Sequence, residues 1–274
     1  MKARRPQIEA PVLPFLSARQ QPDQQRWMLG PQFHALRMRE AVSPKLRAPT
    51  QAHVFEGFAE ANRLRTDGFV AVGSLAVGGL SNAWGCGVAR LSSEEAGWPL
   101  ADADLDDSFR TVCERVGISG AGDDDLRDYF GVDDGADPPA ALDGTNALLL
   151  QRYERRRAAL HAGGFRIGRS RVAVTMRDRG DRLACDSLGN CLFGCARGSM
   201  YSAQQDLVDL APQPGFVHRS GFIVQRLERQ GPTWSVEGTQ GGKPVRLLAR
   251  KVVLAAGTLA TTALVAAAPS LHLP

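Results

Sequence analysis

A glycine-rich stretch at residues 78–87, Gly-Gly-Leu-Ser-Asn-Ala-Trp-Gly-Cys-Gly, restricts the possible folds of this chain more than any other segment. Four of its ten residues are glycines, and it follows an apolar run at 69–76 that predicts a strand. Glycine lets backbone N–H groups approach a ligand without a Cβ in between. A glycine loop that links a strand to a helix is typical of phosphate sites, although a tight turn that packs one tryptophan has the same pattern.

A second segment of this kind lies near the C-terminus. Val-Val-Leu-Ala-Ala-Gly at 252–257 predicts a buried strand and a glycine turn, and a helix is predicted from Thr258 onward. Ordinary α/β packing would produce the same pattern without a ligand. The segment follows a predicted β meander, whose strands are expected at about 216–229, 232–238 and 243–249.

Helices are expected mainly between these two glycine segments. The clearest one spans about 102–116, where apolar residues recur at intervals of four, three and four, with Asp102 or Asp104 as its cap and Gly117 as its end. A helix capped by Ser199 and extending to about Leu210 is also predicted. Further helices are expected near 23–38, 54–65 and 145–161, and further short strands at 88–91 and 165–175.

The charged residues are segregated into two blocks of opposite sign. Residues 102–138 hold twelve Asp or Glu and three Arg, whereas residues 152–182 hold ten Arg and three Asp or Glu. We predict two solvated faces, and their opposite signs are compatible with contact between them. The net charge of +4 would suit a nucleic acid, but no aromatic residues interleave with the basic block as in a stacking platform. We therefore expect no nucleic-acid partner.

Three of the five cysteines, Cys185, Cys191 and Cys195, fall within eleven residues. With Cys86 or His218 as a fourth ligand they could bind zinc or an iron–sulfur cluster, and two of them could form a redox pair. Their spacing matches no zinc-ribbon or ferredoxin pattern, so buried or weakly reactive thiols are the first interpretation and no metal is predicted. A thiol- or metal-binding protein remains an alternative.

The compartment and the chemistry of the chain are less constrained. An odd number of cysteines without the spacing of a secreted scaffold predicts a reducing, cytoplasmic environment. No apolar run approaches 18 residues, so no transmembrane helix is expected. None of the five histidines falls in a recognisable triad or metal pattern, so no catalytic residue is assigned.

Taken in order, five segments resemble the glucose–methanol–choline (GMC) family of flavin-dependent oxidoreductases over about 69–267. They resemble its second glycine motif, its tryptophan–proline segment and helix, its Gly-Cys-x-x-Gly-Ala segment, its adenine-side strand, and its Val-Val-Leu-Ala-Ala-Gly motif. The segments are GGLSNAWGCGVARL at 78–91, WPLADADLDDSFRTVCERVGISG at 98–120, CLFGCARGSMYSAQQDLVDLA at 191–211, VQRLE at 224–228 and ARKVVLAAGTLATTALV at 249–265. Their shared order is more specific than any single motif.

The resemblance implies FAD as cofactor and the CH–OH group of an alcohol or sugar as substrate. It places Gly78, Gly79, Ser81 and Asn82 along the flavin and the pyrophosphate. It places Trp84 and Gly85 near the isoalloxazine ring, the backbone of Val224 near adenine, and Ala256 and Gly257 near the adenosine. It implies a mixed α/β fold: an incomplete, Rossmann-like FAD-binding domain with a β meander at 69–92 and 181–274, an inserted substrate-side region at 93–180, and an irregular or helical segment at 1–68.

The chain departs from the family in two respects. No G-x-G-x-x-G motif occurs between Met1 and Phe69, and the family's catalytic histidine and its partner match no residue here. We therefore expect a truncated or inactive form, or a partner chain that supplies the missing parts. A non-catalytic interaction module is an alternative.

Overall fold

The structure, a computed structural model, describes residues 13–21, 23, 28–30, 44–120 and 122–268. Most of the helix predicted at 23–38 lies outside these residues. Short helices open the described chain: α1 (Phe15–Ala18), α2 (Pro44–Arg47), a 3₁₀ turn (Pro49–Gln51), α3 (Ala52–Phe55) and α4 (Phe58–Ala61). They place buried Val54 and Phe58 inside, as the apolar spacing predicts. The Phe58 ring occupies the space that a Cβ on Gly73 would need.

Helices and loops make up the middle region, residues 84–202. Its helices are α5 (Ser93–Ala96), α6 (Asp102–Val116), α7 (Arg127–Phe130), α8 (Gly144–Glu154) and α9 (Arg157–Ala162). The predicted bounds of α6 are confirmed, and Gly117 ends it with φ of 73°. Ala101 occupies the N-cap position, and the Asp104 carboxylate accepts a hydrogen bond from its N–H at 3.3 Å. The single helix predicted at 145–161 was wrong, because the chain breaks after Glu154.

Residues on both sides of this break contact an acidic loop. Tyr153, Arg157 and His161 all bond to the carboxylate of Asp125. They are spaced by four residues, as on one helical face, so their shared partner links α8 to α9.

Opposite charges pack together inside the middle region. Arg171 is fully buried, and its guanidinium donates to Asp124 at 2.7 Å and to both carboxylate oxygens of Asp133 at 2.7 Å. Arg179 donates to Asp137 at 3.2 Å. The prediction of two solvated faces was wrong for these residues, whereas contact between the two charge blocks is confirmed.

Residues 171–175 form backbone hydrogen bonds with several other segments of the middle region. Ala173 donates to the Cys86 carbonyl at 2.8 Å, and Tyr201 donates to the Ala173 carbonyl at 2.8 Å. Around it lies the apolar cluster of Cys86, Cys113, Val116, Ile118, Val132 and Ala173. The strand predicted at 165–175 forms only isolated bridges, such as Val172 with Ser119, so the prediction of a regular strand was wrong.

Helix α10 (Ala203–Leu210) leads to a three-stranded antiparallel meander in the order β1-β2-β3, followed by α11 (Thr258–Ala266). The strands are β1 (Phe222–Gln230), β2 (Thr233–Gln240) and β3 (Lys243–Ala249). The predicted meander is confirmed, with β1 starting six residues later than expected, after Gly221 at φ of 70°. The described chain thus has mixed helix and sheet content.

Three other predicted strands are absent from the described structure. Residues 69–76, 88–91 and 251–256 form no regular strand. Strands need a continuous hydrogen-bonding neighbour. The described sheet contains none of the three segments, and 88–91 makes only single backbone bonds, from Val88 to Arg171 and from Arg90 to Phe130. The apolar side chains of the first and last segments remain exposed, with Phe69 at 62% and Val253 at 90% exposure.

Candidate functional site

The glycine loop predicted to meet a cofactor forms a 3₁₀ turn, Gly79–Asn82, directly after Gly78. Gly78 has φ of 88°, and Ser81 Oγ donates to its carbonyl at 2.5 Å. The side-chain amide of Asn82 donates to the carbonyls of Val77 and Gly79 at 2.8 and 3.0 Å. The loop is therefore held in shape by its own polar side chains.

The same loop packs against the first turn of α10. The Ser81 hydroxyl accepts a bond from the Ala203 N–H at 2.9 Å, and the Ser202 hydroxyl donates to Asn82 Oδ1 at 2.6 Å. A Cβ on Gly78 would lie 2.8 Å from Ser202 Oγ and 2.9 Å from the Gln204 nitrogen. Close approach between two protein segments thus accounts for this glycine. Ser81 and Asn82, predicted to lie along the flavin, make structural bonds here.

Ser202, rather than the predicted Ser199, caps α10. Its hydroxyl accepts a hydrogen bond from the Gln204 N–H. The Ser202 N–H in turn donates to Gln205 Oε1, which completes a capping box. The spacing of Ser202 and Gln205 in the sequence was the signal that distinguishes this cap from Ser199. Ser199 is buried instead, and its hydroxyl donates to the Leu183 carbonyl at 2.7 Å.

Trp84 continues the junction toward the middle region. Its indole N–H donates to the Tyr201 carbonyl at 2.8 Å, and the two rings meet edge to face at 6.4 Å. The Lys45 ammonium donates to the Trp84 carbonyl. The indole is thus fixed by protein contacts, and its main chain is tied to α2.

A cavity of about 300 Å³ opens where the glycine loop meets α10. Neutral polar groups from Gln51, Ser81, Asn82, Ser202 and Gln205 line much of it. Gln51 is 4% exposed. This volume is at the lower end of the range for small-molecule sites. Sequence reasoning missed Gln51, because nothing in its local pattern signals a contact with the glycine loop.

The remaining predicted cofactor residues lie around the meander. Val224 is on β1 beside the shift in its register with β2, and Gly257 precedes α11 with φ of 79°. The Ala256 N–H bonds to Thr261 Oγ1 at 3.2 Å. In the described part of the chain, no hydrogen bond joins these three residues to the glycine loop, so the nine predicted contacts fall into two groups.

These residues fit FAD only in part. A Cβ added at Gly79, Gly85 or Gly257 would meet nothing within 4 Å, so the main chain is open to a ligand there. The polar side chains of Ser81 and Asn82 are already bonded within the protein, and the cavity beside them is small. The described residues alone therefore do not assemble a complete cofactor site.

The cysteines share an environment with Lys45. Burial raises the pKa of Cys86 to about 11, and burial also raises the pKa of Cys191. Burial lowers the pKa of Lys45, partly offset by these two thiols. Cys195 Sγ accepts from the Ser199 N–H at 3.2 Å. Burial thus favours a protonated, weakly reactive Cys86 thiol, whereas Cys191 is exposed.

No group of three or more His, Cys, Asp or Glu side chains among the described residues is arranged to hold a metal ion. This includes Cys185, Cys191 and Cys195, together with the suggested fourth ligands Cys86 and His218. In the same residues, no helix combines the length and the apolar character needed to cross a membrane. Neither family models nor curated proteins yield a match to this chain.

Proposed function

We propose that this chain is part of a flavin-dependent oxidoreductase of the GMC type, which uses FAD to oxidise a CH–OH group of an alcohol or sugar. The observation that carries the proposal is the shared order of the five segments at 78–91, 98–120, 191–211, 224–228 and 249–265; the open main chain at the two glycine segments, which other exposed glycines share, is compatible with it. A Cβ added at Gly79, Gly85 or Gly257 would have no other residue's atom within 4 Å. Nucleotide cofactors bind against backbone of this kind, where no Cβ intervenes.

The segments that precede these glycines support an incomplete, Rossmann-like arrangement. Residues 69–76 and 252–256 are largely apolar, but in the described structure they form no regular strand and join no sheet. Val72 is 40% exposed, Leu75 44% and Val253 90%. Buried strands of a parallel sheet have this composition, so the two segments suit a sheet that further strands would complete.

FAD, when bound, supplies the hydride acceptor. In this proposal the described residues contribute main-chain contacts at Gly79, Gly85 and Gly257. The bonds from Trp84 to the Tyr201 carbonyl and from Asn82 to the Val77 carbonyl hold the glycine loop in its conformation. No proton-transfer step is assigned to any side chain of this chain.

The direct test is retention of flavin. The purified 274-residue chain is incubated with FAD and passed through gel filtration, and the visible spectrum of the protein peak is recorded. We expect a flavin band that coelutes with the protein, and alcohols and sugars are then screened for bleaching of this band. A folded protein that elutes without flavin would contradict cofactor binding by this chain.

Gly85→Val is the variant that best tests whether flavin binds at the glycine loop. Gly85 does not have a positive φ and faces open space, so valine blocks the approach of a ligand without a clash inside the protein. Gly144→Val, at the start of α8, meets the same two conditions away from the glycine loop and serves as the matched control. We expect Gly85→Val to lose the flavin band and Gly144→Val to keep it.

A second candidate function is a non-catalytic module that binds a partner chain. The exposed apolar side chains of 69–76 and 251–256 favour it, because unpaired extended segments can accept strands from another protein. Light scattering on the same gel-filtration peak separates the two functions. A monodisperse, flavin-retaining monomer supports the oxidoreductase, whereas flavin-free self-association supports the module.

A further inference from the structure

An apolar groove lies on the surface of the middle region, outside both glycine segments. One wall is α6, with Leu105, Phe109 and Val112, and the other is Trp98-Pro99-Leu100. We call it the Trp98 groove; its volume is about 430 Å³. Trp98 is 45% exposed, Leu100 50% and Val112 46%. Contiguous apolar surface of this kind marks an interaction site more often than scattered exposed residues do.

Helix geometry gives the groove a direction. Leu105, Phe109 and Val112 are spaced by four and three residues, so they form one stripe along α6. The stripe continues at its C-terminal end into Val116, which is buried in the core beside Cys113, so only its N-terminal part lines the groove. The groove therefore runs along a firmly anchored helix, which suits a second helix laid beside it.

The rim of the groove is acidic. Residues 94–107 contain six Asp or Glu and no Lys or Arg. Arg90 lies 4.7 Å from the centre of the Phe109 ring and pairs with Asp106 at 2.5 Å, and Arg110 pairs with Asp107 at 2.9 Å, so these two cations offset part of the charge and leave four carboxylates in excess. Hydrogen bonds from Ser92 lower the pKa of Glu95, and hydrogen bonds from Ser93 lower the pKa of Asp102. The rim thus stays anionic around neutral pH.

The other acidic segment of the middle region is different. Asp124 and Asp133 share Arg171, and Asp125 pairs with Arg157. Arginines of this chain neutralise those carboxylates, whereas the carboxylates around the Trp98 groove keep a net negative charge. Charge complementarity therefore indicates a cationic occupant.

We propose that the Trp98 groove binds a basic, amphipathic helix of a partner protein. Its apolar residues, at intervals of three and four, pack against Leu105, Phe109 and Val112, and lysines or arginines on its flanks face the acidic rim. Recognition of this kind combines apolar anchors with charged flanks, so it depends on both. It does not require FAD, and it stands or falls separately from the oxidoreductase proposal.

A synthetic helical peptide provides the probe. It has the length of α6, leucines at intervals of three and four, lysines on both flanks and a fluorescein label. One comparator carries glutamates in place of the lysines, and another has the same composition in scrambled order. By fluorescence anisotropy with the full chain, we expect both comparators to bind at least about 10-fold more weakly than the lysine peptide. Added salt should weaken binding of the lysine peptide.

Two groups of variants locate the binding. Leu100→Glu and Val112→Glu change side chains that are about half exposed, so the fold should persist, and we expect them to abolish binding. Leu149→Glu on α8, where the leucine is 52% exposed, is the matched control and should bind normally. Replacing Glu94 and Asp107 with Gln and Asn should weaken binding and reduce its salt dependence. Circular dichroism checks that each variant is folded.

Several results would overturn the proposal. Equal affinity for the glutamate or scrambled peptide would mean that neither charge nor helical spacing is recognised. Equal losses with Leu149→Glu and Leu100→Glu would place the effect elsewhere. A wild-type dimer that Val112→Glu converts to a monomer, seen by light scattering, would show that a second copy covers the groove.

Discussion

The middle region, residues 84–202, and the meander with its following segment, residues 222–268, treat their surfaces in opposite ways. The middle region buries charge, since Arg171 has no exposed surface and Arg182 has 7%. The meander region leaves apolar side chains outside, with Leu248 66% and Val253 90% exposed. The middle region pairs its buried charged groups within the protein, whereas the meander region leaves large apolar side chains exposed to solvent.

This difference separates stability from binding. A buried arginine is tolerable only when acceptors satisfy its N–H groups, and Arg182 donates to the carbonyls of Val116 and Ser199 at 2.6 and 3.0 Å. Its guanidinium also lies 5.6 Å from the centre of the Tyr201 ring. Exposed apolar groups, by contrast, gain free energy only when another surface covers them. We therefore look for structural residues among the buried charges of the middle region, and for contacts with other molecules at the Trp98 groove and at the exposed apolar side chains of the meander region.

The largest effect is expected from Arg171→Met. It would leave the carboxylates of Asp124 and Asp133 buried without their cation, and breaking a buried pair in this way costs about 3–5 kcal/mol of unfolding free energy. Arg110→Met removes a largely exposed pair with Asp107 and should change stability by less than about 1 kcal/mol. Urea unfolding followed by circular dichroism measures both. Equal effects would mean that the buried charges do not hold the middle region together.

The next effect tests the junction between the glycine loop and α10. Gly78→Ala adds a Cβ 2.8 Å from Ser202 Oγ at φ of 88°, so strain and overpacking together should cost roughly 2–4 kcal/mol. Gly79→Ala, at φ of 58° but in open space, should show only the backbone strain of about 1–2 kcal/mol. Thermal unfolding of the two variants distinguishes a packed glycine from an open one. The reverse order would contradict the geometry of the junction.

Local patterns predicted the elements that depend on local chemistry. Helix α6 has its expected bounds because apolar spacing and the Gly117 stop act within a few residues. The meander was predicted because glycines in its turns reverse the chain between β-rich segments. The strands expected at 69–76 and 251–256 were wrong, because a strand exists only with a neighbour, and composition does not reveal whether one is present.

The candidate site was predictable to a smaller extent. The glycine loop was identified by its composition, but its polar residues were assigned to a cofactor, and the structure shows Ser81 and Asn82 bonded to α10. These bonds span about 120 residues, so no local pattern contains them. The same holds for Arg171, whose sequence neighbours are polar and whose buried partners lie 38 and 47 residues away. A basic residue inside a basic block is predicted to be exposed to solvent, because the sequence does not show the distant carboxylates that allow it to be buried.

Acid should weaken the middle region. Hydrogen bonds from Arg157 and Tyr153 lower the pKa of Asp125; burial acts to raise the pKa of Asp133, but bonds from Arg171 and Gly122 lower it overall. A carboxyl whose folded pKa lies below the unfolded value of about 3.9 stabilises the fold above that value. We expect constant unfolding free energy down to about pH 5 and a decline below about pH 4, with a shallower decline for Asp125→Asn. A loss of stability between pH 6 and 8 would contradict this assignment.

The smallest change in stability is expected where the meander region exposes its apolar surface. Val253→Lys replaces a side chain that is 90% exposed, so the unfolding free energy should change by no more than about 0.5 kcal/mol. Leu227→Ala, at a leucine 2% exposed on β1, should cost about 2–5 kcal/mol in the same region and is the buried control. Self-association, measured by light scattering against concentration, should fall in Val253→Lys because lysine blocks pairing at an unpaired extended segment. If Val253→Lys instead destabilises the protein as much as Leu227→Ala, this valine is covered in solution, and the contrast between the two regions does not hold there.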